Sequence, residues 1–365
     1  MANSASGAPA ATRGVSKCVN LALQGGGAHG AFSWGVIDAL LACPDIEIVG
    51  LTGASAGAMN AVALADGLAD GDRAVARATL ERFWTAVTDA ARASPIQRTP
   101  FDVAANHWSL DRSPAFLFFD LLSRVASPYD LNPLNINPLR DLVAKEIDFD
   151  RVRRAKPFVF VSATNVRTGR NKVFDRAELT VDHVMASACL PFLFQAVEID
   201  GAPYWDGGYM GNPPIWPLFD CSPCSDVIVV QINPFHREET PRAARDILDR
   251  LNEITFNASL LRELRAYDFV TRLIADGRME GTGYREAFIH MIADEATLSK
   301  LGASSKLNAE PAFIDMLFRN GRSAAEAWLE ANFDEGGLGV QLGGGAELGE
   351  RRLVRDHVDE GLAVA

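Results

Sequence analysis

The sequence has few cysteines, no excess of basic residues and no long apolar run. Five cysteines in 365 residues are odd in number and sparse, which favours free thiols in a reducing compartment over a disulfide framework. Lys and Arg number 35 against 47 Asp and Glu, a net charge of -12. This balance argues against nucleic acid or a strongly anionic membrane as an electrostatic partner, so any lipid contact must be mainly apolar.

No apolar stretch approaches the roughly 18 residues that a membrane-spanning helix needs. The first residues, MANSASGAPAATRG, are small and polar, so we expect neither a secretory signal nor a membrane anchor there. With 48% hydrophobic and 22% charged residues, the chain is typical of a globular protein with a substantial core. We therefore expect a cytoplasmic protein that contacts a membrane at most peripherally.

Predicted strands and helices alternate along the first part of the chain. Residues 19–24 are short, apolar and followed by glycine, which is typical of a buried strand. Residues 28–41 have helical spacing, and a second strand at 46–52 precedes a second helix at 56–65. This order indicates parallel strands joined by right-handed crossovers, so we predict a three-layer α/β/α fold with a mainly parallel central sheet.

Composition suggests how the chain is divided. We predict a disordered N-terminus at 1–16, a core at 17–235 with an insertion at 93–142, a mainly helical C-terminal portion at 236–335 packed on the core, and a Gly-rich mobile tail at 336–365. Within the C-terminal portion, a long predicted helix carries an apolar face that would pack on the core or on a partner. That face consists of Leu248, Leu251, Ile254, Ala258, Leu261 and Leu264.

The first predicted strand runs into Gly25, Gly26 and Gly27, which leave backbone N–H groups open to a guest. Gly25, Gly27 and Gly30 also satisfy the dinucleotide fingerprint G-x-G-x-x-G. In a dinucleotide site an acidic residue near the end of the second strand holds the ribose, but Asp45 and Glu47 come before or at the start of that strand. The loop is therefore more typical of an oxyanion-binding site, and binding of a nucleotide phosphate is the alternative.

The second strand is followed by Gly53-Ala54-Ser55-Ala56-Gly57. This G-x-S-x-G pattern between a strand and a helix is the context of a nucleophile elbow. Gly53 and Gly57 permit a sharp, crowded turn, and Ser55 would lie at a helix N-terminus, where free N–H groups favour developing negative charge. The alternative is a plain strand-to-helix connection made of small residues.

A third turn, Asp206-Gly207-Gly208, follows an aromatic strand end. The two glycines would let another backbone approach the Asp206 carboxylate closely. The simpler interpretation is that the aspartate caps its own turn. A serine nucleophile needs a base and oxyanion donors, and the three segments together offer one component each.

In this order, GGGAHG, GASAG and DGG resemble the motifs of the patatin-like phospholipases over roughly residues 19–234. The resemblance implies an α/β fold with a catalytic Ser–Asp dyad, in which Ser55 is the nucleophile, Asp206 the base and the three glycines the oxyanion loop. It also implies a lipid acyl hydrolase of phospholipase A or lysophospholipase type that forms an acyl-serine intermediate. No metal-ligand set is visible, so we expect no cofactor.

One departure from the family concerns His29, because the family often has arginine there; a surface position on the helix is the simpler expectation. The order Ser55, Asp206, His290 also fits a histidine-based triad, but the serine comes early for that fold and we prefer the dyad. An acyltransferase or a bacterial polyester depolymerase could use the same dyad.

Bulky residues of the insertion would form a cap over an acyl chain or fill ordinary core: Trp108, Phe116, Leu117, Phe118, Phe119, Leu121 and Leu122.

Overall fold

The computed structural model describes residues 17–332, so the predictions for 1–16 and 336–365 lie outside the described residues. Its strands are β1 (Lys17–Leu23), β2 (Ile46–Gly53), β3 (Phe158–Asn165), β4 (Asn171–Asp175), β5 (Val197–Ile199), β6 (Ala202–Asp206), β7 (Asp226–Val230) and β8 (Phe288–Ile292). Its first helices are α1 (Gly30–Ala42), α2 (Ala56–Leu68), α3 (Arg73–Arg92), α4 (Pro100–Ala104), α5 (Pro114–Ser123), α6 (Pro128–Leu131), α7 (Pro138–Glu146) and α8 (Phe149–Arg154). The remaining helices are α9 (Val181–Ser187), α10 (Trp216–Cys221), α11 (Ala244–Ala275), α12 (Glu295–Leu298) and α13 (Pro311–Asn332).

The strands form one sheet in the order β5-β6-β3-β2-β1-β7-β8, and β4 also pairs with β3. The pairings among β3, β2, β1, β7 and β8 are parallel, whereas those of β4, β5 and β6 are antiparallel. Parallel β1 and β2 both end at the same edge of the sheet, which brings the glycine loop next to the GASAG turn. The predicted mainly parallel sheet is confirmed.

Alternating side chains on the strands supply two separate cores. Leu21 and Leu23 pack with Ile228 against α1 and α2, whereas Ala22 and Val227 pack with α10 and α11 on the opposite face. Burial of every second side chain on each face is what a sheet covered on both sides requires. The predicted arrangement of helix, sheet and helix layers is therefore confirmed.

The C-terminal portion is joined to this sheet in two ways. Residues Phe288–Ile292 pair in parallel with β7, so part of the mainly helical portion enters the sheet. Helix α13 also lies directly on α1: a Cβ on Gly35 would overlap the Phe318 carbonyl oxygen, and one on Gly321 would overlap that of Phe32. These backbone contacts hold the end of the described chain on the core, and the division at 235 stays a prediction.

The long helix α11 is rotated relative to expectation. Leu251 and Ile254 of its predicted apolar face are about half exposed, so this part of the face does not pack on the core, whereas Leu264 of the same face is buried. Packing of the exposed part on a partner stays a prediction. The buried face instead combines Leu260 with the polar residues Glu253 and Asn257. Asn257 binds Gln24 directly beside the glycine loop, so polar contacts orient this part of the helix.

No helix among residues 17–332 is both long and apolar enough to cross a membrane.

Candidate active site

Ser55 occupies a strained turn between β2 and α2. Its backbone has φ 53 and ψ -123, and the other non-glycine residues with positive φ in the described chain are Asn106, Asn135 and Asp200. Asn and Asp tolerate positive φ, whereas serine rarely adopts it. Such strain persists only where the surroundings impose it, and it concentrates at functional sites. The geometry is that of a nucleophile elbow.

Neighbouring backbone leaves no room for larger residues at this elbow. A Cβ on Gly57 would overlap the carbonyl oxygen of Leu23 in β1, and a Cβ on Gly53 would meet the backbone of Gly57 at 2.5 Å. The Ser55 N–H donates to the Ser187 hydroxyl at 2.9 Å. The turn is therefore fixed from both sides, and the Ser55 N–H is already occupied.

The glycine loop lies directly against the elbow. A Cβ on Gly25 would lie 2.7 Å from the Ser55 Cβ, too close for a side chain. The Gly25 N–H donates to Asn212 Oδ1 at 2.7 Å, so in this structure it is not free to bind an oxyanion. The N–H groups of Gly26 and Gly27 donate to no acceptor among residues 17–332, which leaves these two as the open donors beside Ser55.

Asp206 ends β6 and is completely buried. Its Oδ1 accepts the Gly208 N–H at 2.7 Å, whereas Oδ2 has no hydrogen-bond partner among the described residues. Burial raises the pKa of Asp206 to about 7, while the Gly208 N–H, the nearby Ser55 hydroxyl and the charge of Lys306 act to lower it. A buried carboxylate with one unpartnered oxygen and a pKa near neutrality is suited to accept a proton.

The glycines after Asp206 allow close packing around it. A Cβ on Gly207 would overlap the Ser162 carbonyl oxygen of β3, and one on Gly208 would overlap the Phe256 ring of α11. The structure thus brings together Ser55, Asp206 and the glycine loop, each predicted from sequence. The catalytic roles of these residues stay predictions.

His29 differs from the sequence expectation because it is buried, with 2% of its surface exposed, and the prediction of a surface position is wrong. The Ser305 hydroxyl donates to the Gly302 carbonyl, so His29 Nε2 acts as the donor toward Ser305 Oγ at 2.8 Å. Burial, together with the charges of Lys306 and Arg237, lowers the pKa of His29 to about 3. His29 is therefore neutral at physiological pH and carries no charge to the loop.

His290 lies outside the site. It is on β8, where its Nε2 lies 2.9 Å from Asp226 Oδ1 of β7. Between β8 and β6, which carries Asp206, come four other strands of the sheet. A triad of Ser55, Asp206 and His290 is therefore incompatible with this fold.

Comparison with known proteins identifies the family of the chain. A family model for patatin-like phospholipase matches residues 21–219, more than half of the chain. The chain belongs to the patatin-like phospholipase family. Among solved structures, VipD from Legionella pneumophila is similar over 87% of this chain and 67% of its own, with 17% sequence identity and a TM-score of 0.41. No curated protein matches the sequence.

Sequence reasoning missed several residues around the site of this patatin-like protein. Asn212 and Ser187 lie within the matched region and bind the N–H groups of Gly25 and Ser55. The NPP sequence after the DGG turn was the one signal for Asn212. Asn233 and Lys306 lie beyond residue 219 and also reach the glycine loop; no local motif marks either.

The contact between Gly27 and Lys306 can be tested by substitution. Gly27 has φ +57, and a Cβ there would overlap the Lys306 carbonyl oxygen; Gly169 has φ +65, with nothing within 4 Å of such a Cβ. We expect Gly169→Ala to lower the free energy of unfolding by about 1 kcal/mol, from the backbone conformation alone. Gly27→Ala should cost about 1–3 kcal/mol more, because the overlap is added. Urea unfolding of both variants measures the difference, and equal losses would contradict the close contact.

Proposed function

We propose that this protein is a serine acyl hydrolase that cleaves carboxylic esters of lipids through an acyl-serine intermediate. The observation that carries the proposal is the pairing of a strained Ser55 with the buried, unpartnered Oδ2 of Asp206. A serine hydroxyl is a weak nucleophile until a neighbouring base removes its proton. Here the base is a carboxylate whose pKa of about 7 is well above that of an ordinary aspartate.

The reaction begins when Asp206 Oδ2 takes the proton of the Ser55 hydroxyl. The serine oxygen attacks the ester carbonyl, and negative charge develops on the carbonyl oxygen. The open N–H groups of Gly26 and Gly27 stabilise this charge as hydrogen-bond donors. Asp206 then gives its proton to the departing alcohol, leaving the acyl group on Ser55.

In the second half of the reaction, Asp206 takes a proton from water, which attacks the acyl-serine. The same loop stabilises the second tetrahedral intermediate, and the proton returns to Ser55 as the free acid leaves. Gly25 was expected to donate to the oxyanion, but its N–H is bound to Asn212. Its role in the proposed mechanism is therefore to fix the loop.

The insertion supports a lipid as the acyl donor, although its aromatic residues do not form one apolar surface. Trp108 stacks on Phe313 with ring centroids 5.1 Å apart, so it fills core, whereas Phe118 is 67% exposed. Two hydrogen bonds join the insertion to the loop before β5: the Ala196 N–H donates to the Tyr129 hydroxyl, and the Gln195 side chain donates to the Asn132 carbonyl. The insertion, which carries the exposed Phe118, is thus bound to the loop that runs from Ser187 toward Asp206.

We expect hydrolysis of nitrophenyl esters to increase with acyl-chain length, because each buried methylene adds roughly 0.8 kcal/mol of apolar binding. The purified protein is assayed on esters from acetyl to palmitoyl, beside a panel of phospholipids and lysophospholipids, with free fatty acid identified as product. Equal or falling kcat/KM along the series would contradict a lipid acyl donor. Transfer of the acyl group to an added alcohol, with no free acid formed, would indicate an acyltransferase instead. A protein that cleaves none of these esters would overturn the proposed function.

A further inference from the structure

Lys306, a basic residue outside the region matched by the family model, contacts the glycine loop of this site. Lys306 lies in a short 3-10 helix, Ala303–Leu307, between α12 and α13. Its Nζ donates to Asn233 Oδ1 at 2.7 Å, and Asn233 Nδ2 donates to the Gly25 carbonyl at 2.8 Å. One asparagine side chain thus connects the lysine with the backbone of the glycine loop.

Two further observations place Lys306 near the glycine loop and the Asp206 turn. The Lys306 carbonyl lies where a side chain of Gly27 would be, so the lysine segment is in contact with the loop residue that has a free N–H. Its Nζ is 5.9 Å from the centre of the Phe256 ring, which packs on Gly208 beside Asp206. The lysine segment therefore lies against the glycine loop, and its ammonium group lies near the ring that packs on the aspartate turn.

The Lys306 ammonium group has no direct salt-bridge partner among the described residues. No carboxylate oxygen of the described residues is within 4.0 Å of its Nζ. Burial lowers the pKa of the Lys306 ammonium group below its usual value, and Arg237 lowers it further, whereas Glu253 and Asp249 of α11 and Asp206 act to raise it. Glu253 is itself bound to Arg237 and Arg250. In its protonated form, a partly buried ammonium group that no salt bridge neutralises acts on charges some distance away, because the protein interior screens weakly.

We propose that Lys306 is a positioning residue of the hydrolase, which supplies next to the glycine loop the positive charge that neutral His29 cannot supply. Through Asn233 it fixes the loop, and through space it stabilises negative charge on Asp206 and on the tetrahedral oxyanion. The inference depends on the proposed function, since it concerns the same site. It adds a residue that comes from the C-terminal portion of the chain, beyond residues 21–219.

The test compares Lys306→Met, Lys306→Arg and Lys300→Met, the last removing an exposed lysine six positions away. Two reactions are followed from pH 5 to 9. The first is phosphonylation of Ser55 by a fluorophosphonate, which gives a rate, and the second is hydrolysis of a nitrophenyl ester, which gives kcat and KM. We expect Lys306→Met to lower the phosphonylation rate and kcat by 10- to 100-fold, with KM changed less than threefold. Its acid limb should move to higher pH, because loss of a nearby cation raises the pKa of Asp206.

Lys306→Arg keeps the charge and should retain at least a third of the wild-type rate, with the acid limb in its original place. Lys300→Met should behave as the wild type, and thermal melting establishes that all the variants fold. Unchanged rates in Lys306→Met would overturn the role of Lys306, as would equal losses in Met and Arg variants with an unshifted acid limb. A wild type that fails to react with the fluorophosphonate would overturn the proposed function itself, and the role of Lys306 with it.

Discussion

Ser55→Ala should lower ester hydrolysis by on the order of 10⁴-fold, because it removes the atom that forms the proposed acyl intermediate. The residual rate would come from the open N–H groups of Gly26 and Gly27 acting on bound ester. The variant should fold normally, since alanine keeps the Cβ that packs on Gly25 and the N–H that Ser187 holds. Steady-state assays on the best ester of the chain-length series give the ratio.

Ser94→Ala is the matched control for this loss. Ser94 follows α3, and its hydroxyl accepts the Ile96 N–H away from the dyad, so this variant should keep the wild-type rate. Mass spectrometry of the wild type during turnover of a slow ester should find the acyl group on the peptide that contains Ser55. Substantial hydrolysis by Ser55→Ala would refute the mechanism, whichever ester is cleaved.

Asp206→Asn should have two opposite effects: a loss of 10³-fold or more in kcat and a gain in stability at pH 8. Activity is lost because the amide cannot take the serine proton. Stability rises because the wild type must ionise a completely buried carboxyl at that pH. In the wild type, kcat/KM should rise with pH to a plateau, with an acid limb near the pKa of about 7.

The sign of the stability effect follows from proton linkage. The pKa of Asp206 is raised from 3.8 to about 7 in the folded state. Between these values the unfolded chain has lost this proton and the folded chain keeps it, so this group's contribution to stability decreases as pH rises from about 4 to 7. The advantage of Asp206→Asn should therefore be about 2–3 kcal/mol larger at pH 8 than at pH 5. Urea unfolding at both pH values measures it.

Asp226→Asn provides the comparison, because Asp226 is also a nearly buried aspartate on a strand. It differs in having partners, His290 at 2.9 Å and Lys17 at 3.6 Å. Its substitution should lower the free energy of unfolding and leave kcat within about twofold, since it weakens a charged pair far from Ser55. A loss of stability at pH 8 in Asp206→Asn would show that the buried carboxylate is satisfied in solution.

The fold and the central residues of the site could be predicted because their signals are local. The apolar run before Gly25 and the small residues around Ser55 each fix one strand end, and parallel pairing then brings those ends together. The Asp206 turn was likewise visible as Asp-Gly-Gly after an aromatic strand. Only their joint occurrence, in one order, pointed to a single site.

What could not be predicted depends on contacts between distant parts of the chain. Lys306 meets the glycine loop almost 280 positions away in sequence, and nothing near it indicates this contact. Helix α11 shows a second limit of sequence patterns: its periodicity identified an apolar face, but the face with Glu253 and Asn257 is buried. The periodicity of apolar residues shows which residues share a helix face. It does not show which polar side chains of the helix have hydrogen-bond partners that outweigh apolar packing.

The direct backbone contact of α13 with α1 has a consequence for how the protein is made. Residues Gly35 and Gly321, at nearly opposite ends of the described chain, are both in this contact, and Lys306 lies just before α13 begins. A ribosome releases Ser55, Asp206 and the glycine loop long before Lys306, whose backbone packs on that loop. A nascent chain therefore carries an incomplete site, and the order of synthesis delays the proposed hydrolysis until α13 has packed on α1.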